Sequence, residues 1–254
     1  MDVSRQHALD SDGILAIARE VITAAQSANN DRPSSKALLG IAIRLAGSWK
    51  SNVTLVKYHP DQDSVRAILN DCSVILRCMI DALFQMRWIA DGPNDPDEMG
   101  RLYLEFQPVE NYKLMNNVLS HDDALSKRMA KSPLRAEGEA RIRADYDKVK
   151  RNYPKSNGKG VRTHWYPGTL VDLANDLCAS EEYTYFVRAN NSSVHTGPRA
   201  VFQGPPLNAR QVEFLCESIL MRGLGLIAKH DELVLSDWTT KVIDILSVWP
   251  PTLE

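Results

Sequence analysis

Long apolar runs are missing from this sequence. No stretch approaches the roughly 18 consecutive apolar residues that suggest a transmembrane helix. The N-terminal sequence MDVSRQHALDSDG also lacks the apolar core of a secretory signal. We therefore expect a cytoplasmic protein with no membrane partner.

The four cysteines, Cys72, Cys78, Cys178 and Cys216, show neither a disulfide framework nor a zinc pattern. No CxxC pair occurs, and each cysteine lies in an apolar stretch with helical periodicity. Such residues are typical of reduced thiols in the core of a cytoplasmic protein. The sequence predicts no metal site and no other cofactor.

Strand patterns are almost absent as well. Apolar residues recur at helical spacing, and Pro- or Gly-rich breaks such as residues 92–96, GPNDP, separate these segments. There is no internal repeat, and 44% hydrophobic residues are ordinary for a globular protein. We expect an all-α fold, a single multi-helix bundle of seven to ten helices that forms one domain over residues 1–254.

The main predicted helices span 13–28, 34–58, 63–91, 97–119, 134–152, 169–179, 209–230 and 236–248. A further helix is expected from 181 to the stop at Gly197-Pro198, because glycine accepts left-handed backbone angles and proline cannot continue the helix. Pro108 lies inside the fourth predicted helix, so a kink or a join between two helices is expected there.

Positive charge is concentrated in one part of the chain. The net charge is −2 overall, whereas residues 127–162 contain twelve Lys or Arg and four Asp or Glu, a net charge of +8. This asymmetry indicates either an anion-binding face or a solvated helix and loop. We treat residues 127–167 as a basic helix-loop excursion from the bundle.

The end of this excursion is a loop, residues 153–168, with the sequence YPKSNGKGVRTHWYPG. It lacks the GxxxxGK[ST] phosphate-loop pattern. Aromatic side chains beside basic residues suit single-stranded nucleic acid, although His164-Trp165-Tyr166 could instead be an apolar plug that holds the loop down. The candidate RNA-binding residues are Lys155, Lys159, Arg162, Trp165 and Arg199.

A polar stripe interrupts the longest and most apolar predicted helix, about 63–91. The stripe consists of Asn70, Ser73, Arg77 and Asp81. Arg77 and Asp81 are one turn apart and can pair, and an unpaired buried charge would cost several kcal/mol. The pair is either a satisfied internal ion pair or a device that orients a catalytic or binding group on a neighbouring helix.

Residues 181–198, EEYTYFVRANNSSVHTGP, present two faces when placed on a helix. One face is mostly apolar and suited to packing: Tyr183, Val187, Asn190 and Val194. The other, roughly 120° away, is polar: Arg188, Asn191, Ser192 and His195. The sequence thus places an arginine, two small polar groups and a histidine in a row beside a packing face.

This row resembles the R-x4–6-H motif of the HEPN family, small helical domains of which many are metal-independent endoribonucleases. Here six residues separate Arg188 from His195. The resemblance implies RNA as substrate, a homodimer in which two motifs meet, and a 2′,3′-cyclic phosphate product. His195 would act as base or acid and Arg188 would stabilise the phosphate. Ala189 departs from the polar residue that HEPN nucleases usually carry after the arginine.

A looser likeness is to a bacterial family known only as a numbered domain of unknown function. Its pattern has an arginine and an acid one turn apart in an apolar helix, followed by Ser-x-His. Here these are Arg77 and Asp81, then Ser193-Val194-His195, within roughly residues 65–230. This likeness implies no particular activity.

Three interpretations of function remain. A metal-independent ribonuclease, acting as a toxin or defence effector, would place Arg188 and His195 in one open cleft beside the basic excursion. A non-catalytic binding or scaffold protein, with a protein partner, would bury His195 in a structural polar cluster with Arg77 and Asp81. An enzyme of another kind, such as a metal-dependent hydrolase, needs a cluster of His and carboxylates that the sequence does not show.

Overall fold

Helices account for nearly all the regular structure. The computed structural model describes residues 11–28, 31–57, 62–120, 133–184 and 208–247, with the backbone alone at 62–67, 119 and 133–135. Nine helices of seven or more residues lie in these ranges: α1 (Ser11–Ser27), α2 (Pro33–Lys57), α3 (Gln62–Ala90), α4 (Pro96–Glu105), α5 (Gln107–Ser120), α6 (Pro133–Val149), α7 (Leu170–Asp176), α8 (Ala209–His230) and α9 (Asp237–Leu246). The same ranges contain no strand, only an isolated antiparallel bridge between Pro154 and Val161. The prediction of an all-α bundle is confirmed.

Local sequence explains where the helices begin and end. α8 is capped by Asn208, whose side chain accepts a hydrogen bond from the Gln211 N–H, while the Gln211 side chain accepts one from the Asn208 N–H. The break expected near Pro108 is a join, because α4 ends at Glu105 and Pro108 is the second residue of α5. Proline is tolerated in the first turn of a helix, where its missing N–H has no intrahelical partner to lose.

The centre of the bundle is formed by α2, α3 and α8. These three helices pack against one another, and α1, α4 and α9 pack around them. The apolar middle of α3 accounts for its central position, because its side chains are buried on several faces: Leu76, Met79, Leu83, Phe84, Met86 and Ile89. Burying a side chain of this size stabilises the fold by about 1.5–3 kcal/mol.

A glycine allows α8 to approach the other two central helices closely. A Cβ at Gly223 would lie 2.6 Å from Leu45 Cδ1 on α2 and 3.3 Å from Met86 Sδ on α3. Gly100 serves the crossing of α4 over the start of α2 in the same way, since a Cβ there would lie 2.4 Å from the Ser34 Cα. Both helix crossings therefore depend on the absence of a side chain.

The basic excursion is described from residue 133 onward. α6 packs against α5, and none of its described side chains is buried, as its charged composition predicts. After a 3₁₀ turn, Lys150–Asn152, the chain returns to the bundle through residues 153–168, where Tyr153, Trp165 and Tyr166 join the hydrophobic core. Whether the whole chain forms one domain stays a prediction.

Two of the four cysteines lie where they were expected. All four are free, and Cys72 and Cys216 are buried, but Cys78 and Cys178 are exposed. The prediction of core burial is wrong for these two. Cys78 lies on a solvent-facing side of α3, and Cys178 follows the end of α7 with a φ of 54°. Within the described ranges, no helix has both the length and the apolar character needed to cross a bilayer.

Candidate functional site

The structure describes part of the predicted site. Outside the described residues lie the whole catalytic row, Arg188, Asn191, Ser192 and His195, together with Arg199. The described chain reaches Thr184, four residues before Arg188. The polar pair on α3 and the candidate RNA-binding residues of the loop are described.

The polar stripe of α3 continues one turn beyond the residues predicted for it. Ser73 is buried, and its hydroxyl donates to the Leu69 carbonyl oxygen of the same helix at 2.8 Å. Asp81 Oδ1 accepts a hydrogen bond from Gln85 Nε2 at 3.2 Å. We call Arg77, Asp81 and Gln85 the α3 polar stripe. All three are half-buried.

The salt bridges of the described residues do not include one between Arg77 and Asp81. Asp81 is bound to Gln85 instead. The prediction assumed that both groups are buried, where an unpaired charge is costly. Both keep access to solvent, so neither needs the other as a counter-ion.

Gln85 connects the stripe to the basic loop. Its Oε1 accepts a hydrogen bond from Trp165 Nε1 at 2.8 Å. Trp165 is 4% exposed, and its ring meets those of Tyr103 and Tyr166 edge to face, with centroids 5.5 and 5.7 Å away. A buried indole N–H needs an acceptor, and Gln85 supplies it. The i+4 spacing from Asp81 could have indicated Gln85 from the sequence.

The His164-Trp165-Tyr166 motif therefore has a mostly structural geometry. Trp165 and Tyr166 are both buried, which matches the plug interpretation and leaves the Trp165 ring no open face for a base. His164 is exposed and stacks on Tyr166 with ring centroids 5.1 Å apart. The surface that the loop offers to a ligand is thus made by its cations and His164.

Tyr166 is buried beside Trp165 in the part of the loop that joins the hydrophobic core. Burial raises the pKa of its hydroxyl; Asp81 raises it further, Arg77 opposes the rise, and Tyr183 adds to it. Tyr183, the first residue of the predicted packing face of 181–198, packs against the core as expected.

An ion triad fixes the residue just before Tyr183. The Glu182 carboxylate binds Arg87 of α3 at 3.4 Å and Arg222 of α8 at 3.2 Å, with side-chain exposures of 12%, 20% and 13% for Glu182, Arg87 and Arg222. Arg87 also donates to the Leu177 carbonyl oxygen at 3.1 Å. The sequence contains one signal for this triad, since Arg222 interrupts an apolar helix as Arg77 does. The two arginines line a groove of about 550 Å³ between α3, α8 and α9.

The predicted RNA-binding cations of the loop occupy an accessible surface. Lys155 and Lys159 are exposed and Arg162 is half-buried. The structure adds a cation that the sequence pattern did not indicate, Lys113 of α5. Its ammonium donates to the carbonyl oxygens of Arg162 and Thr163 at 2.7 and 2.9 Å and so fastens the loop to α5.

Metal ligands do not cluster in the part of the chain that is described: no group of three or more His, Cys, Asp or Glu side chains is arranged there to hold an ion.

The fold and this site define an all-α bundle protein that carries a polar stripe on its central helix and a basic loop packed beside it. The chain belongs to the family of unknown function DUF5677, whose model matches residues 49–203. The matched region contains both Arg77-Asp81 and Ser193-Val194-His195, the residues of the looser sequence likeness. Comparison with the curated proteins and with the solved structures found no match.

Proposed function

We propose that this protein is a metal-independent endoribonuclease of HEPN-like type, with Arg188 and His195 as its catalytic pair. The observation that supports this most is the fixed position of the chain just before the row: Glu182 is bound to Arg87 of α3 and Arg222 of α8, and Tyr183 packs against the core. Arg188 follows Tyr183 by five residues. The catalytic row therefore continues, in sequence, from a point held against α3, the helix whose polar stripe binds the basic loop.

The chemistry needs a base, an acid and a cation. A base takes the proton of a ribose 2′-hydroxyl, whose oxygen attacks the adjacent phosphorus. The bond from phosphorus to the 5′-oxygen breaks, and an acid protonates that oxygen. The products end in a 2′,3′-cyclic phosphate and a 5′-hydroxyl. His195 serves as base or acid because an imidazole titrates near neutral pH, and Arg188 stabilises the phosphate through its fork of donors.

A homodimer completes this proposal. Two helical turns would separate Arg188 from His195, about 10.5 Å along a helix axis. A second copy would supply another set of the same groups, as the HEPN resemblance implies. Asn191 and Ser192 would orient the catalytic pair. In a cell such an enzyme would act as a toxin or a defence effector.

The test is cleavage of end-labelled RNA in EDTA by the wild type, His195→Ala and Arg188→Ala. We expect cleavage by the wild type and a loss of at least about a hundredfold in each variant, the usual size of a general acid-base contribution. His121→Ala, a histidine outside the predicted row, is the matched control and keeps wild-type activity. Circular dichroism establishes that the variants are folded.

Cleaved products that carry 2′,3′-cyclic phosphate ends support the proposal further. Wild-type protein that leaves RNA intact in EDTA contradicts it, and so does a folded His195→Ala variant with unchanged activity. Light scattering of the purified protein tests the homodimer separately, because a monomer that cleaves RNA would contradict only the dimer.

The second candidate is a non-catalytic binding or scaffold protein. The observation that favours it is the chain of hydrogen bonds from Asp81 through Gln85 to Trp165, because it shows the stripe holding the loop in place. In that case His195→Ala would lower stability and leave RNA untouched. Unfolding and cleavage measured on the same variant therefore separate the two candidates.

A further inference from the structure

Two cations lie over two aromatic rings where the basic loop meets α5. Phe106 and Tyr153 pack edge to face with centroids 4.9 Å apart. The Lys113 ammonium lies 4.9 Å from the centre of the Phe106 ring, and the Arg162 guanidinium lies 5.6 Å from that of Tyr153. Both distances are within the range of a cation–π interaction. The Tyr153 hydroxyl donates to the Leu102 carbonyl oxygen, which fixes its ring.

A third cation shares this surface. Pro154 and Val161 form the antiparallel bridge, and beside it the Lys155 N–H donates to the Gly160 carbonyl oxygen and the Arg162 N–H to that of Tyr153. Lys155 and Arg162 therefore lie on the two paired segments of one short hairpin. Lys155 lies near enough to Lys113 to lower the pKa of that ammonium, although burial lowers it more. We call Lys113, Lys155 and Arg162 the cation cluster.

The cation cluster keeps its positive charge. Among the described residues, no salt bridge joins any of the three to a carboxylate. Glu110 acts on Lys113 electrostatically without forming such a bridge, and Glu105 is bound to Arg101 and Asn152. Aromatic rings and carbonyl oxygens hold Lys113 and Arg162 in place without neutralising them, unlike the single Glu182 carboxylate that binds Arg87 and Arg222.

Donor groups in the cluster also remain open. Arg162 uses only Nη2, which donates to the Asn152 carbonyl oxygen at 3.2 Å; its Nε–H also lacks a partner in the described structure, but it is buried and closed to a ligand. Desolvation lowers the pKa of this guanidinium. Lys113 uses two of its three N–H groups on carbonyl oxygens. A partly desolvated positive site with unused donors favours a small, strongly accepting anion.

We infer that Lys113, Lys155 and Arg162 form a binding site for a single phosphate group, and that the backbone of single-stranded RNA supplies it. The presence of the phosphate site rests on the cation cluster alone, whereas the choice of RNA rests on the proposed function. The site would anchor the RNA on the same loop that packs, through Trp165, against the α3 polar stripe. It thus adds a contact with RNA to those proposed for Arg188 and His195.

The experiment measures binding of a fluorescently labelled, 2′-O-methylated single-stranded oligoribonucleotide, which cannot be cleaved by this chemistry. Lys155→Met is the main variant, because Lys155 is exposed and makes no side-chain contact that the fold needs. We expect the variant to bind the oligonucleotide about tenfold more weakly. The slope of the logarithm of the binding constant against the logarithm of the salt concentration should be smaller by about 0.7, the amount for one lost phosphate contact to a single strand. Arg162→Lys keeps the charge but loses the planar donors, and it weakens binding as well.

Lys241→Met is the matched control, since Lys241 is an equally exposed lysine that lies on α9, outside the loop and the cluster. The affinity of this variant for the oligonucleotide stays within about twofold of the wild-type affinity, because salt screens the attraction of one remote charge. Equal losses in Lys155→Met and Lys241→Met would show diffuse attraction and overturn the inference. Wild-type affinity in both Lys155→Met and Arg162→Lys would overturn it too.

A titration with inorganic phosphate separates the two possible sources of the anion. Millimolar phosphate that displaces the oligonucleotide from the wild type supports the site and its ligand. If phosphate binds the wild type but not Lys155→Met, and neither protein binds the oligonucleotide, RNA is overturned as the source of the phosphate. Binding of neither probe overturns the site itself.

The outcomes also separate this inference from the ribonuclease. If the wild type cleaves RNA and Lys155→Met binds RNA normally, the proposed function stands and the phosphate site is contradicted. If the wild type binds RNA through Lys155 but does not cleave it, the phosphate site stands and the ribonuclease proposal is contradicted.

Discussion

Glu217 is an acidic residue of α8 whose side chain is half-buried. Burial raises its pKa to about 7, the nearby Glu213 contributes in the same direction, and Lys57 opposes them. In the unfolded chain the ordinary value is 4.5. The folded protein therefore holds this proton more tightly than the unfolded chain does.

The sign of the pH effect follows from this difference. Stability is highest below the unfolded pKa, falls as the pH rises from 4.5 towards about 7, and then stays lower. Glu217→Gln removes the charge and keeps the shape. We expect the variant to match the wild type near pH 4.5 and to exceed it at pH 8 by on the order of 2–3 kcal/mol.

Urea unfolding of both proteins at the two pH values measures this change, with Glu137→Gln, an exposed position on α6, as control. A Glu217→Gln variant no more stable than the wild type at pH 8 would show that the buried carboxyl is not costly.

Single residues also show the limits of sequence reasoning. The pattern singled out Arg77 and Asp81 correctly as polar positions on a buried helix, because a charge among apolar residues is visible in one dimension. The i+4 spacing could have indicated Gln85 as a partner of Asp81, but no pattern could show that Trp165, 80 residues away, donates the other hydrogen bond of Gln85.

At the scale of elements, helix periodicity and Gly or Pro breaks were sufficient. α3 and α8 begin and end within one residue of their predicted bounds, since each has a long amphipathic or apolar pattern and a clear stop. Contacts between elements were not predictable. Lys113 binds carbonyl oxygens about 50 residues further along the chain, and Glu182 binds an arginine 95 residues before it. Periodicity describes one helix and carries no information on its neighbours.

The Glu182 triad gives a prediction at this scale. Glu182→Gln leaves two mostly buried guanidiniums, Arg87 and Arg222, facing each other without their shared counter-ion. Breaking a buried ion pair by removing one partner costs about 3–5 kcal/mol, and we expect a loss near the lower end because all three groups keep some exposure.

Glu181→Gln is the natural control, because Glu181 is the adjacent residue, has the same chemistry and is exposed. Its free energy of unfolding should stay within about 0.5 kcal/mol of the wild type. Equal unfolding midpoints in urea for the two variants would mean that the triad contributes nothing.

For the whole molecule, helical periodicity predicted an all-α fold of seven to ten helices; the described residues hold nine helices of seven or more residues, and the all-α prediction is confirmed. Periodicity did not predict that α2, α3 and α8 would form the centre, because that choice depends on close crossings such as the one at Gly223. Within the bundle, the hydrogen bond between Trp165 and Gln85 joins the basic loop to the α3 polar stripe. The predicted site thus depends on the packing of the whole bundle rather than on one motif.

The triad also has a consequence for motion. Ser180–Glu182 is a helix of a single turn, and such a turn alone in water would open constantly. Here its last side chain is tied to two helices of the bundle's centre. The N–H of Tyr183, which donates to the Ala179 carbonyl oxygen, should therefore exchange its hydrogen for deuterium about as slowly as the centre of α3 does. Rapid exchange of the Tyr183 N–H would show that this turn opens despite the ion pairs of Glu182.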